Sequence, residues 1–318
     1  MKTAKKTAKS MFKRIAGEDL NDEQYHKQLP LDEHSFSSSQ VKTAGKNLFL
    51  FHKEAVLGDK ASFSPVTLDA FTVGHYFHTF FLEPHKMEEY VTYEGRKAGK
   101  AWKDFQDENE GKKILSASMK AAADILVEGV RASHPSMSVL AIPFETEVSF
   151  FAKLMGVLVK CRYDLLHENV KFKDHEAALA DITFLHTKAD YKNLSIGGDL
   201  KSTSEANLDD EDTLRKIIKN YGYDVSFAFY KDIYEIVTNK KLDAWYWIIA
   251  SKKLAKSKLV WADETYYQLG RSKYTKGMVA ILDLMSDSWE YKDKAITLQP
   301  AGHEMTVVQR ELTQEDDI

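Results

Sequence analysis

The sequence predicts an α/β domain with a central mixed sheet flanked by helices, and three observations carry that expectation. Apolar residues recur at helical spacing in two blocks before residue 132. The period then shortens to that of strands, and helical and strand patterns alternate again towards the C-terminus. In order, Phe71, Val73, Phe77, Phe81 and Leu82 make the apolar-aromatic stripe of a helix over 65–90, stopped near Pro84. Ile114, Met119, Ala122, Ile125, Leu126 and Val130 place a second helix over 113–132. Val139–Phe144 and Glu147–Phe151 read as extended, and Gly156–Leu166 is a β-branched-rich run carrying Asp164. Residues 195–203, SIGGDLKST, form a strand opened by two glycines. Residues 211–238 return to helix. Leu242–Ala250 and Lys258–Trp261 read as strands, and a last helix covers 264–287.

Composition narrows the class. Of 318 residues, 44 are Lys or Arg and 48 are Asp or Glu, a net charge of −4 that does not by itself point to nucleic acid. With 43% hydrophobic and 12% aromatic residues, the chain can build a core and is not disordered. The single cysteine, Cys161, excludes a disulfide framework, a Cys-rich zinc site and a four-Cys iron–sulfur cluster. No apolar run approaches the ~18 residues that span a bilayer, and no apolar stretch follows the basic N-terminus as in a secretory signal. A soluble, cytoplasmic protein without membrane attachment is expected. Residues 1–30 read as a basic, flexible arm, with Lys2, Lys5, Lys6, Lys9, Lys13 and Arg14 ahead of any acid. Residues 31–297 read as one domain, and 298–318 as an acidic tail.

The segment that carries chemistry is Asp199-Leu200-Lys201. In a strand, Asp199 and Lys201 share one face while Leu200 points into the core. A carboxylate and an ammonium side by side in a sheet are costly unless each has a task or a partner. Asp164, on an earlier strand, is placed to reach the same point. Two converging carboxylates make an oxygen-rich site suited to Mg²⁺ or Mn²⁺, and a neighbouring lysine can orient or deprotonate a nucleophile. Alone, D-x-K is a chance pattern, as compatible with a surface ion pair worth under ~1 kcal/mol.

Ordered motifs raise its weight. CRYDLL at 161–166 and GGDLKST at 197–203 resemble the PD-(D/E)XK nuclease core, a restriction-endonuclease-like fold. More narrowly the chain resembles the RecE-like exodeoxyribonucleases of phages and prophages. SSSQVKTAGKNLFLFHKEAV (37–56) is similar to that family's opening helix, and GHYFHTFFLEP (74–84) to its G-x-x-x-H-x-x-x-L-E-P motif. YEGRKAGKAWKDF (93–105), FETEVSFF (144–151) and YGYDVSFAFY (221–230) match further family stretches in order. The likeness extends over residues 31–297. It implies Asp164, Asp199 and the backbone carbonyl of Leu200 as metal ligands, with His78 as a further ligand, and Lys201 as the catalytic lysine. Glu147 falls on a family glutamate near the site, and Tyr230 on the tyrosine of a Q-x-x-x-Y helix motif. Two departures stand out: Ser226 occupies that motif's glutamine position, and an insertion over 167–195, with strand-like ADITFLHT at 180–187, separates the two aspartates.

Smaller signals have competing readings. Arg96, Lys97, Lys100 and Lys103 recur at three- to four-residue spacing, either as a solvated face or as a stripe for DNA phosphates. Arg162, on the face of Asp164, is a phosphate clamp or a charge balance for the carboxylates. His75 reads as a core or hydrogen-bonded histidine, Cys161 as a buried structural thiol, and Trp245-Tyr246-Trp247 as core packing. The resemblance implies a Mg²⁺-dependent exonuclease, with Mn²⁺ able to substitute, that digests one strand of linear double-stranded DNA from its 5′ end. It further implies a ring-shaped homo-oligomer and a RecT-like annealing protein that takes the 3′ overhang. A catalytically weakened DNA-binding or assembly protein on the same fold is the alternative.

Overall fold

Two left-handed residues, Met155 (φ 50°) and Gly156 (φ 90°), turn the chain back on itself and pair Leu154 with Val157. The hairpin they close is the middle of the sheet. The computed structural model describes residues 13–27, 29, 31–59, 64–180 and 193–293. The acidic tail, the basic residues before Lys13 and all of ADITFLHT except Ala180 lie outside them. The described elements run β1 (Lys13–Ile15), α1 (Asp22–His26), β2 (Phe36–Ser37), α2 (Ser38–Lys46), α3 (Leu48–Phe51), α4 (Pro65–Leu82) and β3 (Tyr90–Tyr93). Then follow α5 (Gly99–Glu108), β4 (Lys113–Ser116), α6 (Ala117–Arg131), α7 (His134–Leu140), β5 (Glu145–Leu154) and β6 (Val157–Val170). The rest are α8 (Glu176–Leu179), β7 (Leu194–Thr203), α9 (Glu211–Tyr221), α10 (Tyr223–Thr238), β8 (Ala244–Ser251), β9 (Ser257–Trp261) and α11 (Glu264–Ser286).

The main sheet has seven strands in the order β1-β5-β6-β7-β8-β9, with β2 paired to β6 off this path. It is mixed: β7 and β8 run parallel, as do β2 and β6, and the other neighbours run antiparallel. Every residue of β8, AWYWIIAS, is buried, as expected of a strand covered on both faces. The adjacent glycines of β7 make room for its rings. A Cβ at Gly197 would come 2.4 Å from the Trp245 ring, and one at Gly198 would come 2.3 Å from the Tyr246 ring. One face of the sheet is covered by α2, α10 and α11, around Phe36, Val41, Phe229 and Ile281. The other is covered by α4, α6 and α7, around Phe77, Leu126 and Val139. Cys161 and both tryptophans of the Trp-Tyr-Trp run are buried in the first core, as expected. No helix among the described residues is long and apolar enough to cross a membrane.

Several expectations are corrected. Val139 and Leu140 are not extended: they end α7, which Ser133 caps by accepting the Ser136 N–H and which Pro135 opens. Residues 113–116 are a strand, and the helix expected there starts only after Ser116, the hydroxyl of a capping box. Residues 211–238 are two helices, broken at Gly222 in the left-handed region (φ 63°). The second half of the supposed N-terminal arm is part of the fold: Lys13–Ile15 pair with β5, and Tyr25 is buried under the guanidinium of Arg162. The insertion is also shorter than 167–195, because β6 continues to Val170 and β7 begins at Leu194.

Candidate metal and active site

Pairing between β6 and β7 ends at Leu165↔Gly198, so the next residues in register, Asp164 and Asp199, lie just past the ladder. Beyond that point β6 takes β2 as its neighbour, through Phe36↔Val159 and Ser37↔Lys160. The strands part, and two carboxylates flank the fork. On the opposite side, Glu147 of β5 faces Asp164 between the pairs Thr146↔Leu165 and Val148↔Tyr163. Glu147 itself is left-handed (φ 54°), a strained backbone for a side chain of this kind and one that accumulates at functional sites. Glu147, Asp164 and Asp199 thus form a row across three strands.

The other groups come from the alternation of β7 and from α4. Leu200 is fully buried in one core, which turns Asp199 and Lys201 to the other face, as expected. One helical turn of α4 sets His78, whose Nδ1 donates to the Gly74 carbonyl at 2.8 Å. A carbonyl can only accept, so Nδ1 carries hydrogen and Nε2 is the nitrogen aimed at the site, 3.1 Å from Asp164 Oδ2. The Leu200 N–H also donates to that oxygen, at 3.3 Å. One ligand atom each from His78, Asp164 and Asp199 all lie within 4.8 Å of one another.

The charges are those of a site short of positive charge at its centre. Burial alone would raise Asp164, but the hydrogen bond and charge of His78, with Lys201 behind, hold it well below the usual carboxylate range. Burial pushes Asp199 up to about 8; Lys201 works against this and the Asp164 carboxylate adds to it. Burial lowers His78, but Asp164 outweighs it and lifts the imidazole to about 9. Burial raises Glu147 to about 7, with Asp164 adding to the rise and Arg162 opposing it. Lys201 is desolvated yet raised by Asp199 and Asp164, so it stays an ammonium. Its Nζ stands 2.6 Å from Asp199 Oδ1 as an ion pair, and that buried oxygen makes no hydrogen bond. A carboxylate oxygen without a hydrogen bond, beside a second carboxylate and an imidazole nitrogen, belongs to a donor set that fits a divalent cation.

Other predicted residues are placed differently. Arg162 donates to Ser149 Oγ at 3.1 Å and Glu147 Oε2 at 3.3 Å, and stacks 3.9 Å from the Tyr25 ring centroid. Its contacts are those of a charge balance. Tyr230 packs behind the site against Tyr163 and Trp245, and its carbonyl accepts the Tyr163 hydroxyl. Ser226 is buried on α10 and accepts from Lys42 Nζ at 3.1 Å. His75 is exposed, not in the core. Arg96, Lys97, Lys100 and Lys103 are exposed, but α5 begins only at Gly99, so Arg96 and Lys97 precede it and the four do not form one helical stripe. Lys97 reaches Asp69, 3.5 Å away, on the exposed start of α4. Sequence reasoning passed over Lys42, inside the quoted opening helix, and Tyr223, whose ring lies 5.2 Å from Lys201 Nζ. Nothing in a lone helix lysine marked the first, and the pairing of Tyr223 with Lys201 needed the fold.

Residues 37–175 match a family described as "PDDEXK-like domain of unknown function (DUF3799)". That stretch holds His78, Glu147 and Asp164 and ends before Asp199 and Lys201. The whole architecture is similar to the crystal structure of a protein from Eubacterium rectale described as "Putative exonuclease", with a TM-score of 0.57 over 89% of this chain and 96% of that one. The chain has the PD-(D/E)XK nuclease fold. At 16% identity the structural likeness speaks for that fold alone, and no curated protein matches the sequence. Within a PD-(D/E)XK fold the fork between β6 and β7, with its two aspartates and the lysine two residues on, is the site that the sequence motifs single out.

Proposed function

We propose that this protein is a divalent-metal-dependent exodeoxyribonuclease that degrades one strand of linear double-stranded DNA, 5′ to 3′, and leaves a 3′ single-stranded overhang for recombination by strand annealing. The observation that carries the reading is the buried Asp199 carboxylate, ion-paired to Lys201 Nζ at 2.6 Å through an oxygen that makes no hydrogen bond, and grouped with Asp164 and His78. Asp164, Asp199 and His78 Nε2 would hold the ion, Mg²⁺ with Mn²⁺ as substitute. When bound, it supplies positive charge to the phosphate and acidifies a water. Lys201, kept an ammonium by its carboxylate neighbours, orients the attacking water and donates to a phosphate oxygen as charge develops. Glu147, lifted to about 7 and held by Arg162, is a member of the row outside the proposed ligand set that can hold or release a proton near neutral pH. The RecE-like resemblance supports the polarity, a ring-shaped homo-oligomer, and delivery of the overhang to a RecT-like annealing protein.

Incubation of end-labelled linear duplex, with and without a 5′ phosphate, in Mg²⁺, Mn²⁺ or EDTA tests this. Shortening of one labelled strand in the divalent ions only, with closed circular DNA left intact, is expected. Ser226 in the motif's glutamine position favours a second reading, a DNA-binding protein that has lost most catalysis. Binding of ends without digestion in either metal would establish that reading instead.

A further inference from the structure

Resting on the nuclease reading, we propose that Tyr221, Tyr223 and Lys42 form a shelf that holds the nucleotide next to the scissile phosphate. The sequence Tyr-Gly-Tyr joins α9 to α10 through one left-handed residue, Gly222 (φ 63°), and this turn brings the two rings parallel. Their centroids are 5.5 Å apart at an interplanar angle of 17°. The inner ring, Tyr223, packs on the core and lies 5.2 Å from Lys201 Nζ. The outer ring, Tyr221, is 55% exposed. An aromatic pair that runs from the catalytic ammonium to an open outer ring is the arrangement on which nucleobases stack without regard to sequence.

Lys42 supplies the charge. It stands on α2 five residues after β2, the strand that takes the edge of β6 past the fork. Its stem lies along the same turn: a Cβ at Gly222 would come 3.0 Å from Lys42 Cδ. The ammonium donates to Ser226 Oγ at 3.1 Å and to the Tyr221 carbonyl at 3.5 Å. Both hydrogen-bond partners are uncharged, and of the charges around it Lys201 and Lys46 oppose the ammonium while Asp199 and Asp224 favour it from beyond hydrogen-bond reach. Burial and the nearby Lys201 push its pKa down to about 8, a strain that a phosphate between the two lysines relieves. The position that departs from the family motif, Ser226, is thus the one that anchors this lysine.

The test uses linear duplex whose terminal nucleotides, on each strand in turn, are replaced by an abasic analogue. Loss of a stacked base should slow initiation by the unmodified protein about tenfold, within the roughly 5- to 150-fold range of base stacking. Tyr221→Ala should cut that discrimination to below twofold and Tyr221→Phe should restore it, with unchanged melting temperatures as the control for folding. Lys42→Met should raise KM for normal and abasic ends alike, and Lys42→Arg should recover most of it. Binding in EDTA gives a second readout: 2-aminopurine at the terminal position should be quenched by the unmodified protein and not by Tyr221→Ala. Digestion with no discrimination in the unmodified protein, or discrimination unchanged in Tyr221→Ala, overturns the shelf and leaves the nuclease reading intact. If nothing is digested, the nuclease reading falls, and the fluorescence decides the shelf alone: quenching lost in Tyr221→Ala supports it, quenching unchanged overturns it.

Discussion

The fork between β6 and β7 and the basic segment at 96–103 both drew attention in the sequence, and the fold treats them in opposite ways. At the fork, Asp199 is 5% exposed and sits beside Asp164 and His78, one of its oxygens held by the Lys201 ammonium alone and without a hydrogen bond. In the segment, Arg96, Lys97, Lys100 and Lys103 are all exposed and partly outside the helix expected to align them. Buried charge is costly, so the fork survives only if something compensates it; exposed charge costs little and identifies its partner poorly. The fork should therefore carry chemistry and the segment affinity.

The sharpest break of that comparison is at the fork itself. Asp199→Asn and Lys201→Ala should each lower metal-dependent digestion of linear duplex by roughly a thousandfold, the scale of losing a group that acts on developing charge. Affinity for DNA ends, measured in EDTA by gel shift, should change less than about threefold in Asp199→Asn, and in Lys201→Ala should fall only by the one phosphate contact that this lysine shares with Lys42. A loss of binding as large as the loss of cleavage would move the fork from chemistry to affinity.

The second prediction asks whether the fork is strained without its cation. Asp199 is raised to about 8, Glu147 to about 7 and His78 to about 9, each above its ordinary value. Between the ordinary and raised values the folded state binds more protons than the unfolded chain, so stability falls as pH rises. The metal-free protein should thus lose several degrees of melting temperature between pH 6 and pH 9, at about 2 °C per kcal/mol, the low end for large domains. Asp164, held low, acts oppositely: its contribution is present above the ordinary carboxylate pKa and is lost in acid, outside this window. Asp199→Asn should flatten much of the slope, and so should Mg²⁺, which takes the place of the protons. Scanning calorimetry across that range, with and without EDTA, measures both.

How much of this was legible in the sequence follows from the same physics. The strands of the fork were readable because β-branched and aromatic runs are specific to buried sheet, and the D-x-K alternation put Asp199 and Lys201 on one face without any tertiary knowledge. His78 and Glu147 were reached only through ordered motifs, since a histidine on an apolar helix and a glutamate on a strand have many bland uses. The extended reading of Val139–Phe144 failed because a Ser-x-Pro start outweighs β-branched composition at Val139. Lys42 was illegible: its meaning comes from β2 taking the edge of β6, a contact across more than a hundred residues.

The smallest expected effect belongs to the basic segment, and it tests the comparison from the other side. If these side chains hold phosphates, each neutralised contact releases condensed counterions, and log K falls against log salt with a slope near −0.9 per contact. Lys100→Gln and Lys103→Gln, both at exposed positions of α5, should each reduce that slope by about 1 and weaken binding uniformly across sequences. Lys97 is partly occupied by Asp69, 3.5 Å away, so Lys97→Gln should change the slope less than either. Digestion at saturating DNA should stay as it is in the unmodified protein, because these residues make no contact with the row of Glu147, Asp164 and Asp199. Equal slopes in all three variants and the unmodified protein would return the segment to a solvated face. A drop in the saturated rate would instead tie it to the fork and end the division of labour between the two regions.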